Sequence, residues 1–86
     1  MVLEQFNSLT KYEQQDLLLK QGIYIAERFD GPFRIMLYQL DGFYVEVYFF
    51  NLYNKVAYFL GYDTTEVLEP YLAQIDVSDV LQEALS

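Results

Sequence analysis

The chain has 86 residues, the length of one domain, and its 53% apolar and 19% aromatic side chains are enough to close one modest core rather than two. That composition excludes a disordered chain. With neither Cys nor His, disulfide, thiolate and imidazole chemistry are excluded, and thirteen carboxylates against five basic residues (net −8) would repel a phosphate backbone, so no nucleic-acid partner is expected.

Met1 to Phe6 lack the basic and apolar regions of a signal peptide, and no stretch approaches the roughly 18 uncharged apolar residues of a membrane span. The expectation is a cytoplasmic protein with no membrane partner. A short turn of helix around Leu3 to Ser8 would present Leu3 and Phe6. Thr10 followed by Glu13 has the spacing of a capping box, and Tyr12, Leu17, Leu18 and Leu19 supply an apolar side before Gly22. Gly22 is expected to end this helix in the left-handed conformation.

From Ile23 the apolar period changes to two, and β-branched and aromatic residues dominate until about Asn51. Strands are predicted over Ile23 to Phe29, Phe33 to Gln39 and Phe43 to Phe50. Asp30-Gly31-Pro32 and Asp41-Gly42 separate them at hairpin spacing, which makes neighbouring strands antiparallel. A fourth strand, Val56 to Tyr62, follows a turn at Asn51 to Lys55 in which Asn54 suits a left-handed position.

Beyond Tyr62, Asp63 or Thr64 is placed to cap a helix, and Pro70 predicts a break near Glu69 because its ring clashes with the carbonyl four residues earlier. A last helix starts at Asp76, with Val77, Val80, Leu81, Ala84 and Leu85 at helical spacing. The sum is one α+β domain over residues 1–86: an N-terminal helix, a four-stranded antiparallel meander and C-terminal helices. No strand alternates with a crossover helix, which argues against a nucleotide-binding parallel sheet.

The turn at Asp41-Gly42 decides which side chains share a face, because a slip of one residue moves a whole strand's set to the other side. A two-residue turn pairs Leu40 with Phe43; Met36 and Tyr38 then lie beside Val45 and Val47, while Ile35 and Leu37 share a face with Glu46 and Tyr48. A three-residue loop, with Gly42 in a left-handed bulge, instead places Phe33, Ile35 and Leu37 with Phe43, Val45, Val47 and Phe49. The second register is preferred here because it makes one face almost purely apolar. It leaves Arg34, Met36, Tyr38, Tyr44, Glu46, Tyr48 and Phe50 on the other, as a large amphipathic surface that monomers rarely expose. Either the terminal helices divide between the faces or a partner covers one.

Charges within the strands are Glu27, Arg28, Arg34 and Glu46, for which cross-strand ion pairing is the simplest reading and a carboxylate–arginine acid/base pair the sharper one. Asp63, Glu66 and Glu69 stand three residues apart, yet helix capping accounts for Asp63 and Glu66 more simply than a cation site, and no calcium-binding loop pattern is present. Ser8, Ser78 and Ser86 have no His to activate them, nothing marks Lys11, Lys20 or Lys55 as desolvated, and four glycines form no phosphate loop. No catalytic residues, metal site or cofactor is expected, and the protein is not expected to be an enzyme.

The functional expectation is a non-catalytic, homodimeric protein-interaction module using the Tyr-rich sheet face, with Arg34 of one copy meeting Glu46 of the other. The competing expectation is a small-molecule-binding module with a Tyr/Arg-lined pocket between sheet and helix. The acids beyond Gly61, which are Asp63, Glu66, Glu69, Asp76, Asp79 and Glu83, have no Lys or Arg among them and could also receive a basic protein partner.

Overall fold

The structure is a computed structural model that describes residues 1–73. It runs α1 (Leu3–Asn7), α2 (Lys11–Gln21), β1 (Ile23–Asp30), β2 (Phe33–Leu40), β3 (Phe43–Phe50), β4 (Lys55–Tyr62) and a 3-10 helix (Thr65–Tyr71). The strands form one antiparallel sheet in chain order, as the turn signals predict. The closing helix expected from Asp76 lies outside the described residues. Among the described residues no helix is long and apolar enough to cross a membrane.

The capping box forms as expected. Thr10 Oγ1 accepts the Glu13 amide at 3.2 Å, and Glu13 Oε1 accepts the Thr10 amide at 3.0 Å. Hydrogen bonding from Thr10 to the Glu13 carboxyl, first from the backbone N–H and then from the side chain, holds that carboxyl below the usual carboxylate range. Of the apolar side assigned to α2, Leu18 is buried and Leu17 half-buried, but Tyr12 and Leu19 are 84% and 74% exposed. Gly22 does not take the left-handed conformation. It is extended (φ −72°, ψ 142°) because the chain passes straight from helix into strand, and it is glycine because a Cβ would stand 2.6 Å from the Leu18 carbonyl oxygen.

The hairpin register differs from the preferred one. Leu40 pairs with Phe43 and Gln39 with Tyr44 across a two-residue turn. The positive φ falls on Asp41 (51°) rather than on Gly42, and Asp is among the few residues with a side chain that tolerate it. Asn54 is left-handed as expected, with φ 56°.

That register places Met36, Tyr38 and Leu40 with Phe43, Val45 and Val47 on one face, where Phe6 of α1 and Leu18 of α2 complete a core. Gly61 lets α1 approach β4: a Cβ there would collide with Leu3 Cδ1. The second face holds Ala26 and Leu37, covered by Val67 and Tyr71 of the 3-10 helix. An almost purely apolar face serves a sheet whose helices all roof one side. Here the helices divide between both, so each face must supply apolar residues, and the other register meets that demand.

The 3-10 helix also departs from expectation. It runs through Pro70 to Tyr71, and Thr64 makes no side-chain cap bond. A ladder of bonds to the third residue back loses only one donor at Pro70 and is already as short as such helices usually are. Both edge strands are bulged, β1 at Ile25 and β4 at Ala57, so neither edge offers a regular ladder to another strand.

Candidate interaction face

The face under the 3-10 helix has a polar centre and an aromatic end. At the centre Glu46, on β3, is 3% exposed. Arg28 Nη2 reaches Glu46 Oε2 from β1 at 3.2 Å, across the intervening β2, and the Tyr71 hydroxyl donates to the same oxygen at 2.5 Å. The Arg28 guanidinium also lies 5.6 Å from the centre of the Tyr71 ring, within cation–π range. Burial opposes the Arg28 charge, but hydrogen bonding with Tyr71 and the charge of Glu46 outweigh it and raise the Arg28 pKa. A carboxylate desolvated on an apolar sheet is tolerated only with such partners.

Neighbouring phenols register this environment. Burial, then a hydrogen bond with Glu46, pushes the Tyr62 hydroxyl up to about 12. The same causes in the same order raise Tyr71. Tyr48 is raised as well, by burial first and by the Glu46 charge second. All three stay protonated near neutrality, so Tyr71 presents a donor to Glu46 and not a second negative charge.

Further along β3 the face turns aromatic. Tyr48 and Tyr58 are direct cross-strand partners, stacked with centroids 4.5 Å apart and planes at 16°. Phe33 meets Tyr48 edge-on at 5.5 Å and pairs across the strands with Phe50 at 5.0 Å, and Tyr53 adds a contact to Phe50 at 6.1 Å. Each such pair adds about 0.5 to 1.5 kcal/mol beyond the area it buries. The 3-10 helix packs on Ala26 and Leu37 towards the other end, and within this group Tyr58 is 41% and Tyr53 70% exposed.

The seven residues expected to share one surface do not. Tyr44, Glu46, Tyr48 and Phe50 lie on this face, and Arg34, Met36 and Tyr38 lie on the helical one, as the two-residue turn dictates. Met36 and Tyr38 pack at the margin of the helical core. Arg34 is bound within its own chain, Nε at 2.6 Å and Nη2 at 2.5 Å from Glu27 Oε2. The expected cross-strand ion pairs are therefore present, but the pair at Glu46 is buried and its partner is Arg28. An Arg34–Glu46 bridge between copies has neither member free. Asp63, Glu66 and Glu69 are exposed, and no three carboxylates converge among the described residues.

Comparison of the chain with protein families, with curated proteins and with solved structures gives no match.

Nothing is therefore carried over from relatives, and the face rests on its own geometry. Sequence reasoning missed Phe33, Tyr53, Tyr58, Tyr62 and Tyr71 as members of it. Tyr58, Leu60 and Tyr62 do alternate at strand period, but their meeting with Tyr48 and Glu46 depends on the register of two hairpins.

Proposed function

We propose that this chain is a non-catalytic protein-interaction module that forms a homodimer through the aromatic end of the sheet, with Phe33, Tyr48, Phe50 and Tyr58 at its centre. The observation that supports this is the exposed aromatic continuation of a core face beyond the helix that covers the rest of it. Tyr and Phe bring large area at low rotamer cost and are enriched at the centres of interfaces. A two-fold arrangement would make the patch self-complementary. The bulged edges favour association by the face over strand addition. Glu46, the buried carboxylate of this face, is engaged by Arg28 and Tyr71 and withheld from solvent, which favours a structural over an acid/base role.

Size exclusion with light scattering tests the reading at micromolar concentration. The wild type should be a dimer and Tyr58→Glu a monomer with unchanged far-UV circular dichroism. A monomeric wild type, or a Tyr58→Glu dimer as tight as wild type, overturns it.

A further inference from the structure

The opposite face carries a feature that the dimer reading does not use. Between α2 and the sheet lies an apolar cleft of about 120 Å³, roofed by Leu18 and Leu19 and floored by Met36, Tyr38 and Val47. It adjoins an outer cleft of about 470 Å³ through the shared residues Gln15, Phe49 and Val56, and this outer part is flanked by Lys11 and Lys55. The combined space is of the size of small-ligand sites.

Charge makes this place unusual. In a chain with thirteen carboxylates and five basic residues, no Asp or Glu lines either cleft, whereas two lysines line the outer one. Among the described residues Lys20, Arg28 and Arg34 each face a carboxylate, and Lys11 and Lys55 face none. The Lys11 ammonium is held at the rim by a 2.6 Å bond to the Val56 carbonyl, which occupies one of its three donors and leaves two to point outward. Lys55 pairs with Phe50, so its side chain leaves the sheet on the aromatic face, and the cation held at the mouth of the cleft is Lys11. An apolar slot that opens onto a cation with no carboxylate against it among the described residues, in a protein of net charge −8, matches a ligand with an apolar tail and one anionic end. A cation or a bare inorganic anion satisfies only one half of it.

We propose that the cleft between α2 and the sheet binds a small amphipathic organic monocarboxylate, its carboxylate at Lys11 and its short alkyl chain beneath Leu18 and Leu19 against Met36 and Val47. The polar contacts fix orientation and the apolar slot supplies the burial, the usual division of labour in a ligand site. Because Leu19 is largely exposed, it forms an edge of the roof that a ligand would cover.

The test is a titration of the isotope-labelled full chain, followed by amide chemical shifts, with sodium octanoate below its micellar range. Octylamine and acetate serve as probes of the separate halves. Octanoate should give saturable shifts at Gln15, Leu19, Val47 and Val56, while octylamine and acetate should not. Lys11→Gln, a change at an exposed residue, should weaken octanoate binding by roughly threefold to tenfold, the range for losing one surface charge contact. Leu19→Glu, which sets a carboxylate at the slot, should abolish it. Absent or non-saturating octanoate shifts, equal shifts with octylamine, full reproduction by acetate, or unchanged affinity in both variants would each overturn the assignment.

Discussion

The Tyr71 hydroxyl donates to Glu46 Oε2 at 2.5 Å, joining the last turn of the 3-10 helix to the middle of β3. Since Arg28 holds the same oxygen from β1, one buried carboxylate ties together three segments distant in sequence. Removing it should therefore do more than delete a bond. Glu46→Ala leaves Arg28, whose Nε has no partner among the described residues, with only the exposed Asp30, 4.0 Å from Nη1, as counter-charge, and should cost about 3 kcal/mol, the low end of the range for a broken buried pair. Tyr71→Phe, which removes only the donor, should cost about 1 to 3 kcal/mol. Urea unfolding of the two variants provides the check, and a Glu46→Ala protein as stable as wild type would refute this account of the cluster.

Alkaline pH should weaken the fold through the same phenols. The folded pKa of Tyr62 is pushed up to about 12, and that of Tyr71 is also raised, from an ordinary value of 10.0. Between those values the folded state keeps protons that the unfolded chain has released, so stability is complete below pH 10.0 and falls as pH rises towards 12. Urea midpoints should be level from about pH 7 to 9 and then decline, less steeply in Tyr71→Phe than in wild type. Equal slopes for the two proteins above that point would contradict the assignment.

Val47 is buried in the helical core. A carboxylate there would be stranded without a donor, so Val47→Asp should lose several kcal/mol or fail to fold at all. Tyr12→Ala, on the exposed side of α2, should change stability by less than about 0.5 kcal/mol. Thermal melts that ranked the two in reverse would mean that core and surface had been exchanged.

Gly22→Ala should destabilise although the backbone angles at Gly22 suit alanine, because the new Cβ would press on the Leu18 carbonyl and force α2 away from β1. The expected loss is about 1 to 3 kcal/mol, in the range for overpacking. Gly42→Ala, where a Cβ meets nothing within 4 Å, is the control. A Gly22→Ala protein with an unchanged urea midpoint would show that the helix end shifts freely.

The sequence by itself determined the elements: the Thr10 cap, four strands, their antiparallel order, and the turns at Gly31, Asp41-Gly42 and Asn54. Each depends on neighbours within a few residues, where backbone preference and side-chain spacing act directly. Only the tertiary structure decided the rest. β2 and β3 carry large apolar residues on both sides, so alternation fits either register, and the choice fell to Asp41 taking a positive φ and to helices covering both faces. That one-residue choice separated Arg34, Met36 and Tyr38 from Tyr44, Tyr48 and Phe50. It also set Glu46 between Arg28 and Tyr71, a meeting of three segments that no local spacing encodes, because a buried carboxylate's position is fixed by the partners that the fold brings to it.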